Sequence, residues 1–373
     1  MQAMVQSTAR KYAQESLVPV ASAIDREHRF PKQQLAELAE LGLMGINVPE
    51  EFGGAGAGAV AHALALTELS QGCASTTVTL AVNNMVAETI CKFGDEKQKQ
   101  KYVPEITSGR FVAASFGLSE AHSGSDAASL RTTARLDGDS WVLNGSKQWI
   151  TSGDVAGVLT IWARTETGVS NAKGISCFLV EGGTPGLIIG KAEDKMGLRG
   201  SSTVSLTFED LRLPASALLG TRGQGFGIAM SALAGGRIGI AAQAIGIATA
   251  ALTEAVRYAK DRKAFGKPIG EYQALRFMLA DCDTELAAAR LLVLRAAGLK
   301  EAGQLFVREG SMAKVFATEK ANKACDVAVQ VHGGYGYIDE FAAERHYRDC
   351  RITTIYEGTS EVQRIVVARE VLK

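Results

Sequence analysis

TTARLDGDSWVLNGSKQWITSG, residues 132–153, decides the architecture of this chain. Asp137-Gly138 and Asn144-Gly145 fall between short runs of strand-forming residues, and such dipeptides supply the positive φ of tight hairpin turns. GVLTIWARTE (157–166), GISCFLVEGG (174–183) and STVSLTFEDLRLP (202–214) follow at strand length and regular spacing. The expectation is an antiparallel β-domain of about a hundred residues, with two hairpins inside the quoted stretch.

On either side the texture is helical. PKQQLAELAELGLMGI repeats Leu35, Leu38 and Leu41 at helical spacing, and AVAHALALTELSQG and DEKQKQKYVPEI each end at a breaker or begin at a capping residue. From Phe226 helical periodicity returns over 226–260, 271–301 and 305–330, then in a terminal helix. The chain is therefore read as α+β: an N-terminal helical domain (1–112), a middle β-domain (113–222) and a C-terminal four-helix bundle (223–373).

Composition narrows the function classes. The 373 residues hold 46% hydrophobic and 21% charged side chains, as an ordinary globular protein does. Forty basic residues balance forty acidic ones, so no average field favours nucleic acid or an anionic membrane. The longest low-charge stretch, Phe226 to Thr253, is interrupted by Arg237, and its uninterrupted part, Ile238 to Thr253, is 16 residues, short of the roughly 20 a membrane span needs. Six cysteines without a CxxC pair read as reduced thiols in a cytosol-like compartment, and the N-terminus has no apolar run suited to a secretory signal. The five histidines lie apart without ligand spacing, so no metal site is expected.

Six features could carry chemistry. GGAGAGA (53–59) contains a GxGxxA pattern but lacks the preceding strand that a dinucleotide fingerprint requires. FGLSEAHSGSDAASL (116–130) offers hydroxyls and backbone N–H groups to an anion or ring edge, or is a surface turn. Trp149 and Thr151, two apart on an expected strand, share a face that suits either a flat ring with polar edges or the core. Arg237 is the sole charge between Phe226 and Thr253, so it is expected to pair or to reach a bound anion. KDRKAFGKPIG (260–270) sets a basic turn around Phe265, and QVHGGYGYIDE (330–340) is a glycine turn allowing close backbone approach.

Glu357, in RITTIYEGTSEVQRIVVARE (351–370), stands between an apolar, β-branched run (Ile352 to Tyr356) that reads as buried and a helix start. Ser360 with Gln363 resembles a capping box, and Val362, Ile365 and Val366 are expected to form the buried stripe of the last helix. A carboxylate in such a corner is either a solvated loop acid or a positioned base.

Taken in order, VPEEFGG, FGLSEAHSGSD, KQWITSG, KMGLRGSSTVSLTFEDLRLP, RKAFGKPIGEYQALRFMLAD, QVHGGYGY and IYEGTSEVQR resemble the acyl-CoA dehydrogenase family over essentially the whole chain. GRIGIAAQAIG and AERHYRDCRIT look most like its short-chain branch. The resemblance implies FAD as cofactor. It places Phe116, Leu118, Ser119, Gly124 and Ser125 on the flavin loop, and Trp149, Ile150 and Thr151 over the isoalloxazine ring. Arg262, Phe265, Gln273, Gln330, Val331, Gly333 and Gly334 then hold the pyrophosphate and adenosine, some across a subunit interface, and Thr359 and Glu361 add contacts beside the base. Ser125, Arg237 and Gly358 are assigned to substrate.

Glu357 matches the family's base, which takes the α-proton of an acyl-CoA thioester while the β-hydrogen leaves as hydride to flavin N5. Some members carry the base just before the residue matching Arg237; here that position is Gly236. CASTTVTLAVNNMVAETIC (73–91) lacks the arginine of the dicarboxylyl branch, which favours a monoacyl substrate, straight or branched. Oxidases of the superfamily carry a further C-terminal domain, whereas this chain stops at Lys373, and a catalytically silent scaffold would not need every flavin motif. An electron-transferring flavoprotein is the implied acceptor, a homotetramer the implied assembly, and the cytoplasm or mitochondrial matrix the implied location. Two positions depart from the pattern. Ala121 replaces a common proline, so a looser turn is expected, and Ala234 replaces a common acid near coenzyme A.

Overall fold

The computed structural model describes all residues except 167 and 169–171. Six helices come first: α1 (Gln2–Tyr12), α2 (Val18–Arg26), α3 (Lys32–Glu40), α4 (Gly58–Gly72), α5 (Ala74–Phe93) and α6 (Glu96–Thr107). On α3, Leu35 and Leu38 are fully buried, while Leu41, past its end, is 44% exposed. Asp95 caps α6 and forms a reciprocal box with Gln98. The glycine run 53–59 leads into α4 with no strand before it.

The middle region holds β1 (Ala113–Gly117), β2 (Thr133–Asp137), β3 (Ser140–Thr151), β4 (Ala156–Arg164), β5 (Ile175–Glu181), β6 (Leu187–Ile189), β7 (Thr203–Pro214) and β8 (Leu218–Leu219). Their order is β6-β7-β3-β2-β4-β5-β8, with β1 beside β4. The sheet is mixed rather than purely antiparallel, because β1 runs parallel to β4. Asp137-Gly138 does turn the β2–β3 hairpin.

Asn144-Gly145 does not turn the chain: it is a bulge inside β3. The Asn144 Nδ2 donates to Asp210 Oδ1 at 2.9 Å, and the Asp210 N–H donates back to Asn144 Oδ1 at 2.9 Å. Gly145, at φ 140°, presses against Thr132, whose Cα would lie 2.7 Å from an added Cβ. The dipeptide thus clasps β7 and kinks a long strand, a use of Asn-Gly that a hairpin rule does not distinguish.

The C-terminal third is α7 (Gly225–Asp261), the hairpin β9 (Lys263–Ala264) and β10 (Lys267–Pro268), α8 (Gln273–Glu301), α9 (Val307–His332), α10 (Ala343–Arg351) and α11 (Ser360–Val371). The fold is α+β, with helical regions flanking the sheet. Among the described residues α7 is the one helix long and apolar enough to cross a membrane by composition, yet 78% of its most apolar window is buried. It packs against α4, α5, α8 and α9, so its apolar character is spent inside the bundle.

Two expectations near the C-terminus fail. Of the run 352–356 only Thr353 is buried, and Ile355 is 47% exposed. On α11 only Ser360 and Gln363 are buried, while Ile365 is 66% exposed. Val362 and Val366 are only half-buried, so the apolar stripe of the last helix is partly covered among the described residues.

Candidate active site

Glu357 occupies a corner the backbone would not adopt without fastening. Its φ is +52° and that of Gly358 is +94°, both left-handed, and only glycine enters that region without strain. Two side chains fix the corner. Lys314 of α9 donates from Nζ to the Gly358 carbonyl at 2.8 Å. Gln363 of α11 donates from Nε2 to the same carbonyl at 2.8 Å.

The expected Ser360–Gln363 capping box is therefore absent. The cap is Thr359, whose Oγ1 accepts the Val362 N–H at 3.3 Å, and Gln363 reaches back to the corner. No hydrogen bond joins the Glu357 or Gly358 N–H to a described residue, which leaves both donors for a ligand oxygen.

The Glu357 carboxylate is set for proton transfer. Oε2 is buried without a hydrogen-bond partner. Burial pushes its pKa up to about 7, while Lys314 and Arg237 pull it back. Arg237 is 6% exposed and makes no ion pair among the described residues. Its Nη1 donates to Ser311 Oγ at 3.3 Å and its Nε has no partner, so of the two expected alternatives, an ion pair or reach to a bound anion, the ion pair is not made among the described residues. Lys314 is completely buried, and its pKa falls to about 8, chiefly through burial.

Glu357 faces a cavity of about 580 Å³, lined among others by Met85, Gly236 and Phe306, while Arg237 and Lys314 stand behind its lining. A Cβ built on Gly236 would overlap Glu357 Oε2, so the bare helix backbone of α7 makes room for the carboxylate. Ala234 lines the same cavity.

A second cavity, about 490 Å³, lies at the other end of α7. Arg262, Val331, Gly333, Gly334, Tyr258 and Tyr335 line it. Nothing lies within 4 Å of a Cβ added at Gly333 or Gly334, so the floor is open backbone. The Arg262 guanidinium sits 5.8 Å from the centre of the Tyr335 ring. Phe265 is 95% exposed, and Gln273 and Gln330 are exposed nearby in sequence. Twenty-six residues of continuous helix separate Gly236 from Arg262, about 40 Å at 1.5 Å per residue. One chain therefore does not bring this group to Glu357.

The remaining sequence candidates lie on the sheet. Phe116 packs on Trp162 with ring centres 4.2 Å apart, and Leu118 is buried. Ser119 is half-buried, whereas Gly124 and Ser125 are exposed. Trp149 is 61% exposed at φ +65°, Ile150 is buried in the sheet core, and Thr151 is half-buried. A register shift between Lys147 and Ile150 breaks the simple alternation from which a shared face for Trp149 and Thr151 was inferred. Thr359 caps α11 and Glu361 is exposed beside it.

The loop 117–132 is not loosened by Ala121. Glu120 and Ser123 exchange both backbone hydrogen bonds, at 3.1 and 3.0 Å. The Glu120 carboxylate accepts the N–H groups of Arg131 and Thr132 at 2.6 and 2.9 Å and pairs with Lys147 Nζ at 2.8 Å. Lys147 also donates to the Leu118 carbonyl at 3.2 Å. This buried clamp was not anticipated, nor was Lys314. Both lysines sit among apolar and small residues, the pattern that marks a buried cation needing partners.

Comparison with known proteins is consistent along the whole chain. Residues 1–110, 115–211 and 223–372 match the acyl-CoA dehydrogenase N-terminal, middle and C-terminal domains. The mitochondrial short-chain specific acyl-CoA dehydrogenase of Bos taurus is 52% identical over 371 residues, covering 99% of this chain and 90% of that one. The butyryl-CoA dehydrogenase of Megasphaera elsdenii superposes at a TM-score of 0.97 and 40% identity, covering 100% of this chain and 98% of that one. A chain from the solved electron transferring flavoprotein of Acidaminococcus fermentans superposes at a TM-score of 0.98 and 44% identity, again covering 100% and 98%.

Proposed function

This chain belongs to the acyl-CoA dehydrogenase family, and we propose that it oxidises a short-chain acyl-CoA thioester to the trans-2-enoyl-CoA, with FAD as cofactor and Glu357 as base. The observation that carries this reading is the unpartnered, buried Glu357 Oε2 at the wall of a cavity, with a pKa near 7. A base poised near neutrality suits removal of a weakly acidic α-proton. The Glu357 and Gly358 N–H groups suit the thioester oxygen, where charge gathers as that proton leaves. Arg237 and Lys314, both buried and cationic, hold the ionised carboxylate ready without neutralising it through direct contact.

FAD, when bound, supplies the acceptor for the β-hydrogen, which departs with its electron pair as the Cα–Cβ double bond forms. The residues fit such a group. An exposed Trp149 on a rigid strand offers a ring face, the clamped loop 117–132 offers backbone donors, and the open Gly333-Gly334 floor beside Arg262 suits a pyrophosphate. The separation of Arg262 from Glu357 by about 40 Å of helix supports a cofactor site shared between copies. The exposed Ile365 beside half-buried Val362 and Val366 on α11 supports an oligomer, which we assign as a homotetramer.

Electron transfer to an electron-transferring flavoprotein is supported by the similarity to the Acidaminococcus fermentans structure. Relatives described as mitochondrial and relatives from bacteria leave the matrix or the cytoplasm as the site of action. The direct test is anaerobic titration of the purified yellow protein with butanoyl-CoA, followed in its visible spectrum. Stoichiometric bleaching is expected; a spectrum unchanged by butanoyl-CoA and isobutanoyl-CoA would remove the short-chain assignment.

A further inference from the structure

The cavity that holds Glu357 has a second polar group of residues that proton abstraction does not use. His62 from α4, Glu88 from α5 and Lys300 from α8 all line it. Lys300 Nζ lies 2.6 Å from Glu88 Oε1, and Asn47 donates to Glu88 Oε2 at 3.4 Å. His62 Nε2 is buried and has no hydrogen-bond partner among the described residues. Burial, with Lys300 close by, lowers the His62 pKa to about 4, so the imidazole is neutral at physiological pH.

The bare backbone of α7 fixes where this group stands. A Cβ on Gly235 would lie 2.9 Å from Lys300 Nζ, one on Gly236 would overlap Glu357, and one on Gly239 would lie 4.0 Å from His62 Cε1. Gly235 to Gly239 spans only about 6 Å of helix rise. The polar group therefore stands within a few carbon–carbon bonds of the base.

From this geometry we infer that His62, Glu88 and Lys300 form a polar end-wall that sets acyl specificity, favouring a short acyl group whose far end carries a neutral hydrogen-bonding substituent such as a hydroxyl. The inference rests on Glu357 as base, which fixes the α-carbon end of the cavity. An added methylene reaching the wall gains little, because it would cover an ion pair and an unpartnered imidazole. A hydroxyl there meets the free His62 nitrogen. The pair Glu88–Lys300 is neutral as a unit, so it offers no net charge to a second carboxylate or to an amine.

The test compares isosteric ligands that differ by a hydroxyl for a methyl: 4-hydroxybutanoyl-CoA against pentanoyl-CoA, and 5-hydroxypentanoyl-CoA against hexanoyl-CoA. Kd is read from the flavin absorbance change in an E357Q background, where turnover does not intervene. His62→Leu, and separately the double variant E88L/K300M, should shift the hydroxyl-to-alkyl Kd ratio about tenfold toward the alkyl ligand in at least one pair. The double variant removes both charges together, which guards against the misfolding expected when one partner is left alone. Ratios within twofold of the parent in both variants and both pairs would overturn the inference. Bleaching of the wild-type flavin by butanoyl-CoA tests the base reading separately. With bleaching intact and ratios unmoved, only the end-wall fails; with ratios moved and no bleaching, only the dehydrogenase reading fails.

Discussion

Glu357 and Gly236 touch across the cavity wall: a Cβ on Gly236 would occupy the space of Glu357 Oε2 and come within 3.2 Å of Met85 Sδ. The helix and the Glu357 corner are therefore fitted to each other at one atom's width. In a helix interior Gly→Ala ordinarily stabilises by roughly 0.5–1 kcal/mol. Gly236→Ala should instead keep or raise the melting temperature while slowing flavin reduction by butanoyl-CoA at least about tenfold, since a small displacement of a base costs far more in rate than in stability. Rapid-mixing reduction kinetics alongside thermal melts separate the two effects.

The acid limb of the reaction should lie near pH 7. Glu357 must be ionised to act, and burial has raised its pKa to about 7, so the rate of flavin reduction should climb through that region and level above it. Lys314→Met removes one of the two cations that oppose the rise and should move the limb to higher pH. A limb unmoved in this variant would show that Lys314 only fastens the Gly358 carbonyl.

Stability carries the opposite sign from the usual carboxylate. The folded pKa of Glu357 lies above the 4.5 of an unperturbed glutamate, so between about pH 4.5 and 7 the folded state binds the extra proton and stability falls as pH rises. Glu357→Gln should therefore be more stable than the parent above pH 7, by about 3 kcal/mol, melt later there, and converge with it near pH 4.5. Melting curves of both proteins across that range check the sign.

Lys147→Met should damage cofactor retention without touching the base. Lys147 is fully buried against Glu120, and removing one member of a buried pair costs about 3–5 kcal/mol because the other charge stays behind. The Glu120 carboxylate holds the loop through Arg131 and Thr132, so the variant should lose flavin on gel filtration and melt earlier. Flavin content at wild-type level would detach this clamp from the cofactor.

What was legible in the sequence follows the range of the forces involved. Local patterns placed the helices of the first and last thirds and the Asp137-Gly138 hairpin, because periodicity and turn chemistry act over a few residues. Asn144-Gly145 misled, since its role depends on Asp210, 66 residues away. The corner at Glu357 was visible as a turn before a helix, but its fasteners were not. Gln363 reads as a capping partner, and Lys314 lies 44 residues away from the carbonyl it holds. The stripe Val362, Ile365 and Val366 has the spacing of a buried face, yet among the described residues it is only partly covered, with Ile365 exposed. A pattern reports that a face is apolar, not which copy of the chain covers it.

The central claim is that the Glu357 carboxylate removes the α-proton. Its most direct test is the rate at which butanoyl-CoA bleaches the flavin of Glu357→Gln, measured anaerobically by rapid mixing at pH 8, with FAD content and acyl-CoA binding shown equal to the parent. The account predicts bleaching slowed by at least about a thousandfold with binding retained. Bleaching within tenfold of the parent rate would contradict it and place the base elsewhere in the cavity.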